Sequence, residues 1–313
     1  MSHARHCIGI DVAKHSLDVH MLLTGQTRRF DNQPDGWEAL WAWIGRRRTL
    51  LVCLEATGGY EQPLVTFLHG RGVPVAVVNP RQIRDFARAL GQLAKTDAID
   101  ARVIAMFAAR MGPTVTPATG KNRAKLKALT VRRRQVQEMI TREKNRRGQV
   151  LDPAIREMVD QALAMYQQQL RQIEEQIAQL AAQDEAMCQR IDLLTSVPGV
   201  GTTTAAVLVA ELPELGSLNR QQIARLAGLA PTNRDSGTFR GKRTIGGGRG
   251  HVRHALYMAT LAGVRFNHRI AGYYRRLVAA GKPKMQALLA ATRKLLVILN
   301  TMVKNNTKWQ PEA

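Results

Sequence analysis

The sequence is poor in acidic residues and in cysteine. It has 24 Asp and Glu against 46 Lys and Arg, which gives a formal charge of +22. This imbalance predicts a polyanionic partner, nucleic acid first and an anionic membrane surface a distant second. The three cysteines, Cys7, Cys53 and Cys188, are isolated, so zinc-site spacing and a disulfide framework are both missing. Cys7 and Cys53 lie in apolar runs and are expected to be small core residues.

Two further features are missing from the sequence. It shows no secretory signal and no apolar run of transmembrane length. We therefore expect a cytoplasmic, reduced protein with no membrane partner. Its 313 residues are enough for two domains with a sizeable core.

The charge is unevenly distributed and suggests three segments, of which the second has a basic part and an acidic part. Residues 1–118 carry +4, residues 119–148 carry +9, residues 149–190 carry −4 and residues 191–313 carry +13. A nearly neutral first segment suits a catalytic core, while the middle and C-terminal parts should hold nucleic acid. We predict a catalytic domain over 1–118, a helical linker over 119–190 and a C-terminal domain beyond it.

The first segment predicts an α/β domain. Apolar runs at 6–12, 17–23 and 27–31 predict a three-strand meander, and helices and strands then alternate up to Met111. Acids end the first and fourth strands, at Asp11 and Glu55. Two more, Asp97 and Asp100, are three residues apart and would share a face in the first turn of the last helix.

These four carboxylates have the chemistry of a hard-metal site. An ionised acid in an apolar run is costly unless it is paired or bound to a metal. Oxygen ligands without a histidine or cysteine cluster favour Mg²⁺ or Mn²⁺. Two such ions about 4 Å apart can clamp the attacking and leaving oxygens of a phosphodiester. The alternative is that acids at strand ends are structural or surface residues.

The second segment predicts two long helices with different partners. Eleven bases against two acids over 119–148 are too lopsided for pairing within a helix and favour phosphate contacts over a solvated face. The bases expected to contact nucleic acid are Arg132, Arg133, Arg134, Lys144, Arg146 and Arg147. Apolar residues from Leu163 to Leu180 then follow a heptad seam. This seam predicts either a self-associating coiled coil or a hairpin that folds back on the basic helix.

The third segment is expected to be helical and carries two glycine-containing motifs. Pro198-Gly199-Val200-Gly201 between two helices predicts a helix-hairpin-helix, in which Gly199 and Gly201 let backbone N–H groups approach a phosphate. The alternative is a plain helical turn.

A glycine-rich loop over 233–250 places Ser236 among bases. Asp-Ser-Gly alone is ordinary turn chemistry. A serine that attacks phosphorus, however, needs positive charge around the phosphate oxygens and a route for its proton. No histidine is adjacent, so an acid or a metal from elsewhere would have to take the proton. The bases are Arg234, Arg240, Lys242, Arg243 and Arg249.

Five motifs in order carry a family resemblance. They are Gly9-Ile10-Asp11-Val12-Ala13-Lys14, Glu55-Ala56-Thr57-Gly58, Lys95-Thr96-Asp97-Ala98-Ile99-Asp100-Ala101, Pro198-Gly199-Val200-Gly201 and Ser236-Gly237-Thr238-Phe239-Arg240-Gly241. Together they resemble the DEDD transposases of bacterial insertion sequences, the bridge-RNA-guided serine recombinases. The resemblance implies a RuvC-like (RNase H-type) mixed-sheet domain, a coiled-coil linker and a C-terminal transposase domain.

The resemblance also implies roles for the site residues. Asp11, Glu55, Asp97 and Asp100 would hold magnesium, and Ser236 would attack DNA and form a phosphoserine link. A structured bridge RNA would pair with donor and target DNA in the bacterial nucleoid. One active site would then need both domains. We expect a homo-oligomer, a dimer or tetramer, and the two domains of one active site would come either from one subunit or from different subunits.

Two other functions compete with DNA recombination. A RuvC-like, metal-dependent nuclease would cut DNA junctions by water attack, and its cleavage would survive the change Ser236→Ala. A basic RNA-binding or architectural protein would bind without breaking strands, but it has no need of carboxylates facing phosphate.

Overall fold

The computed structural model describes residues 6–45, 50–91, 97–232, 235–236, 239–241 and 243–310, and of residues 50, 97–99, 235–236 and 239–240 the backbone only. The chain divides into two compact units, within 1–119 and 120–313. Each unit has its own hydrophobic core.

The first unit is built on a mixed sheet. Its elements are β1 (His6–Val12), β2 (Ser16–Met21), β3 (Gln26–Asp31), α1 (Pro34–Ile44), β4 (Leu50–Glu55), α2 (Gln62–Gly70), β5 (Val75–Val78), α3 (Pro80–Ala89) and α4 (Asp97–Met111). The sheet order is β3-β2-β1-β4-β5. The β1–β2 and β2–β3 pairs are antiparallel, and the β1–β4 and β4–β5 pairs are parallel. This arrangement fits an RNase H-like domain and confirms the predicted α/β order.

Strand β1 is buried on both faces, which explains its nearly continuous apolar sequence. Ile8 and Ile10 belong to the core that includes α1 and α2. Cys7 faces the other way and shares a core with Ile104 of α4. Burial raises the pKa of Cys53 to about 12. Cys7 and Cys53 are both buried core residues, as predicted.

The second unit is helical, as predicted, apart from a small hairpin. Its elements are α5 (Lys121–Arg147), α6 (Pro153–Ala182), α7 (Glu185–Thr195), α8 (Thr202–Glu211), α9 (Arg220–Leu226), β6 (Asp235–Ser236), β7 (Phe239–Arg240), α10 (Gly250–Phe266), α11 (His268–Ala279) and α12 (Lys284–Asn305). Leu126 of α5 lies in the same core as Leu194, Leu208, Leu256 and Leu296. The basic helix therefore begins inside the core that the C-terminal helices form.

The apolar seam of α6 packs against α5 in the same chain. Leu163 and Ile173 form a cluster with Val136 and Ile140. The chain thus takes the hairpin arrangement, which was one of the two outcomes that the seam predicted. A self-associating coiled coil is not needed to bury these side chains.

Helix α12 is the one helix in the described part of the chain that is long and apolar enough to cross a membrane. Half of its apolar window is buried inside the second unit. Leu295, Leu296 and Leu299 are at most 1% exposed. These contacts make α12 the central core helix of this unit.

Candidate active site

Asp11 and Glu55 stand at the ends of neighbouring parallel strands. The register pairs Ile10 of β1 with Leu54 of β4, so each acid occupies the next position in its strand. Cys7 and Cys53 lie in the core on the α4 face of the sheet. Because side chains alternate along a strand, Asp11 and Glu55 project from that same face. The carboxyl edge of the sheet thus presents two acids about one strand spacing apart.

Helix α4 lies directly on this face because β1 has a glycine beneath it. A Cβ atom at Gly9 would be 2.1 Å from the carbonyl oxygen of Ala101 and 2.4 Å from the backbone nitrogen of Ala105. Asp100 immediately precedes Ala101, and Asp11 is two residues beyond Gly9. The close approach therefore places the first turn of α4, which begins at Asp97, next to the strand that carries Asp11.

The donor set fits a hard divalent cation in chemistry, with carboxylate oxygens from two strand ends and a helix. Among the side chains that the structure describes, no three His, Cys, Asp or Glu residues gather closely enough to hold a metal ion. The side chain of Asp97 lies outside this description. The structure thus brings Asp11 and Glu55 to one edge and Asp100 close to it, and a metal site stays a prediction.

Asp18 is an acid at this edge that the sequence patterns did not reveal. It is the Cα partner of Asp11 across the antiparallel β1–β2 pair, so both side chains project from one face. Its carboxylate lies 4.0 Å from Arg29 and is 13% exposed. The alternation of Ser16, Asp18 and His20 with buried Leu17 and Val19 is the signal that could have shown it.

Asn32 joins the loops that follow the two acids. Its side-chain amide donates to the carbonyl oxygen of Ala13 (2.9 Å), just after β1, and to that of Tyr60 (3.2 Å), in the loop after β4. The indole N–H of Trp37 donates to the Asn32 side-chain oxygen (3.0 Å) and fixes its orientation. The first tryptophan of α1 therefore supports the acidic edge and packs in the core.

Glu61 fixes the loop after Glu55. This carboxylate is 4% exposed and accepts hydrogen bonds from the backbone nitrogens of Thr57 (3.1 Å) and Gly59 (2.9 Å) and from the side chain of Gln62 (2.9 Å). Burial opposes ionisation, but these hydrogen bonds outweigh it and lower the pKa of Glu61.

We expect Glu61→Gln to lower the free energy of unfolding by about 2 kcal/mol at pH 7, because a charged acceptor is lost from buried donors. The lowered pKa makes this contribution present above the unfolded pKa of about 4.3 and lost as the pH falls through the folded pKa. Urea unfolding at pH 7 and pH 3.5 measures it, and the difference between the proteins should shrink at the lower pH. Glu38→Gln, which removes an exposed partner of Arg71, is the control. An equal deficit at both pH values would contradict the assignment.

Ser236 lies in a short β-hairpin. Its Cα partner is Phe239, and that of Asp235 is Arg240. Thr232 and Thr244 form a further bridge at the base, where the Thr232 nitrogen donates to the Thr244 carbonyl oxygen at 2.9 Å. The predicted loop is therefore a hairpin that carries the serine on its first strand.

Of the bases predicted around Ser236, one is exposed, one is ion-paired within the fold, and the side chains of the other three are not described. Arg243 is exposed. Arg249 forms a two-pronged ion pair with Glu214, at 2.5 and 2.6 Å, so its guanidinium is engaged within the fold. Arg234 and Lys242 lie outside the described residues, and Arg240 is described by its backbone alone.

The two glycines of the 198–201 turn have different surroundings. Gly199 has a φ of +97°, and a Cβ there would lie 2.5 Å from the backbone nitrogen of Gly263 in α10. The fold therefore requires glycine at position 199 whether or not a phosphate binds there. Gly201 caps α8 and has open space around it, so it alone of the two offers the approach that a phosphate would need. A helix-hairpin-helix role for the turn stays a prediction.

The six bases predicted on α5 fall into three groups. Arg133 and Arg147 form ion pairs with Glu174 and Asp160 of α6. The second group pairs along α5 itself and consists of Arg134 with Glu138 and Arg146 with Glu143. Arg132 and Lys144 are exposed and have no ion pair among the described residues. These two are the best placed of the six for phosphate.

The C-terminal part of the chain has no acid over a long stretch. Residues 236–311 contain 15 Lys and Arg and no Asp or Glu. The bases of this stretch that are exposed, such as Arg243 and Arg265, can attract phosphate. The stretch begins at Ser236 itself, so the predicted nucleophile stands at the edge of a purely basic region.

Comparison with known proteins supports the resemblance. Residues 8–156 match the DEDD transposase profile of IS110 elements, and residues 191–275 match the profile described as transposase IS116/IS110/IS902 family. The chain is 30% identical over 310 residues to the pilin gene-inverting protein of Moraxella bovis, with 96% of each chain covered. It is also 34% identical over 146 residues to a 43.6 kDa protein of insertion element IS110 from Streptomyces coelicolor. That alignment covers 45% of this chain and 36% of the Streptomyces protein. The chain belongs to the IS116/IS110/IS902 family of transposases, whose members cleave and rejoin DNA.

Proposed function

We propose that this transposase moves an insertion sequence by cutting and rejoining donor and target DNA through a phosphoserine at Ser236. Asp11, Glu55, Asp97 and Asp100 would hold Mg²⁺ or Mn²⁺, and a bridge RNA would select the DNA. The observation that carries the proposal is the pairing, in one chain, of an RNase H-like sheet edge bearing Asp11 and Glu55 with a hairpin bearing Ser236.

In the proposed chemistry a phosphoserine bond replaces the broken phosphodiester bond, so strands can be rejoined without a further source of energy. The Ser236 oxygen forms a bond to phosphorus while the bond from phosphorus to a sugar oxygen breaks. In the net balance the serine proton passes to the released sugar oxygen, which leaves as a hydroxyl group. A sugar hydroxyl of the new partner strand then attacks the phosphoserine and releases the serine. A metal held by the four acids would stabilise the charge that develops on the phosphate oxygens.

Trapping of a covalent complex tests this proposal. Labelled DNA that contains an element end is incubated with the protein, Mg²⁺ and RNA that co-purifies with it, and the products are separated under denaturing conditions. We expect a labelled band that protease treatment removes. Free DNA ends without such a band would instead support the metal-dependent nuclease.

We propose that the exposed bases of α5 bind the RNA. The double variant Arg132→Gln/Lys144→Gln should weaken RNA binding about 10-fold near 0.1 M salt and flatten the salt dependence, because each lost phosphate contact lowers the slope by about 0.7 to 0.9. Its thermal stability should be unchanged. The matched control is Arg133→Gln/Arg147→Gln, which breaks the ion pairs with α6 and should retain more of the RNA affinity. Equal losses in both variants would contradict the distinction.

We also propose that the protein acts as a homo-oligomer in the nucleoid. The seam of α6 is used within the chain, but Ile155, Met158 and Met165 of the same helix are 47%, 64% and 48% exposed. Their spacing of three and seven places them on one helical stripe, which could receive another subunit. Light scattering of the protein alone and with RNA measures the subunit number.

DNA inversion is a second candidate function. The relatives from Moraxella are named as pilin gene-inverting proteins and align with almost the whole chain. Inversion and insertion need the same cleavage and rejoining, and they differ in how the two DNA sites are arranged. A plasmid with two element ends in inverted orientation, read by sequencing of the junctions, separates inversion from insertion.

A further inference from the structure

We infer that Arg253 is a positioning residue for Ser236. It lies on α10, 17 positions beyond the serine, and its guanidinium nitrogen Nη1 donates to the carbonyl oxygen of Gly247 (2.8 Å) and, more weakly, to that of Gly228 (3.4 Å). Gly228 lies before the serine hairpin and Gly247 after it. One side chain therefore links the two segments from which the hairpin extends. The inference rests on the proposed role of Ser236 as the nucleophile.

The two segments also touch through backbone alone. A Cβ at Gly228 would lie 2.3 Å from the Gly247 carbonyl oxygen, and one at Gly248 would lie 2.4 Å from the Gly228 nitrogen. Both Gly228 and Gly248 also have positive φ values, of +69° and +62°. Glycine is therefore required at each position for two reasons, the backbone conformation and the close contact. The base of the hairpin thus has a contact that no other residue type permits at these positions.

Arg249 fastens this base to the helical core. Its backbone nitrogen donates to Leu226 at the end of α9 (2.8 Å). Its guanidinium donates to the Glu211 carbonyl oxygen (2.8 Å) and to both oxygens of Glu214. Burial disfavours the charged form of Glu214, but the hydrogen bonds from Arg249 outweigh it and lower the pKa of this acid. The base of the hairpin is therefore held by contacts to α8 and α9 as well as by the contact between its own two segments.

The hairpin needs such an anchor for a physical reason. Its paired strands are two residues long, and a two-stranded hairpin of this size is not stable by itself. A nucleophile must be held near the attacking geometry, and a displacement of about 1 Å can cost 10²-fold in rate. Loss of the Arg253 link should consequently slow the attack by Ser236 while the nucleic-acid surface is unchanged.

The experiment compares Arg253→Ala, Arg253→Lys and the wild type. Single-turnover formation of the covalent DNA complex is measured with saturating DNA, RNA and Mg²⁺ at a temperature where circular dichroism shows all proteins folded. We expect Arg253→Ala to slow formation about 10²-fold, with DNA affinity within about 3-fold, and guanidinium ion added at millimolar concentration to restore part of the rate. Arg253→Lys keeps the charge but replaces the planar guanidinium with an ammonium on a different stem, so its rate should fall between those of the other two proteins. Arg265→Ala, an exposed base on the same helix, is the matched control.

Hydrogen exchange supplies a readout that does not depend on the chemistry. Peptides spanning 230–246 should exchange faster in Arg253→Ala, and peptides of α5 and α8 should not. Gly248→Ala, which disturbs the same contact without changing charge, should reproduce both effects. Unchanged exchange in 230–246, or a covalent-complex rate within 3-fold of the wild type, would overturn the inference. If wild-type protein forms no covalent complex, the proposed nucleophile fails, and the exchange measurement alone still decides whether Arg253 holds the hairpin.

Discussion

Ser236→Ala should abolish the covalent protein–DNA complex and lower strand exchange by about 10³-fold or more, because no second group can replace the attacking oxygen. DNA and RNA affinity should stay within about 3-fold, since the basic residues that attract phosphate are unchanged. Denaturing electrophoresis of labelled DNA measures the complex, and a filter-binding titration measures affinity.

Thr307→Ala is a suitable control, because it removes one exposed hydroxyl from the same unit. It should behave as the wild type in both assays. Strand cleavage that persists in Ser236→Ala would exclude the phosphoserine mechanism. It would favour the alternative that sequence analysis left open, a RuvC-like nuclease in which metal-bound water attacks the phosphate.

Asp11→Asn and Glu55→Gln should each lower Mg²⁺-dependent cleavage by about 10³-fold, which corresponds to several kcal/mol of lost charge stabilisation. Nucleic-acid affinity should hold or rise slightly, because each variant removes a negative charge from the edge of the sheet. Cleavage rates at a series of Mg²⁺ and Mn²⁺ concentrations, with calorimetric titration of Mn²⁺, separate loss of metal affinity from loss of fold.

Asp85→Asn is the charge-matched control, because its carboxylate is exposed and pairs with Arg88 of the same helix. It should titrate with metal as the wild type does. A cleavage rate in Asp11→Asn that equals that of the control at every metal concentration would refute the metal role of the edge.

Mixing two inactive variants tests whether the acids and the serine of one active site come from the same subunit. Asp11→Ala and Ser236→Ala are combined in several ratios and assayed for the covalent complex. Activity recovered in the mixture, with a maximum near equal amounts, would mean that the acids and the serine act from different subunits. Absence of recovery at every ratio would mean that one chain supplies both.

The sequence alone determined the order of elements and led to the predicted chemistry of the site. Short apolar runs placed Asp11 and Glu55 at the ends of strands, and turn signals placed Ser236 in a loop, because these features depend on local spacing. The excess of basic over acidic residues predicted a polyanionic partner. None of these inferences needed a contact between distant residues.

The tertiary structure decided which neighbours those residues have. The pairing of β1 with β2 sets Asp18 opposite Asp11, and the fold-back of α6 engages Arg133 and Arg147 in ion pairs with its acids. Glycine is required at Gly9 and Gly199 because another backbone lies against each of them. Arg249 is one of the bases predicted to bind nucleic acid, yet its guanidinium hydrogen-bonds within the chain, as does that of Arg253. Such pairings join residues far apart in sequence, and only the packing of the whole unit brings them together.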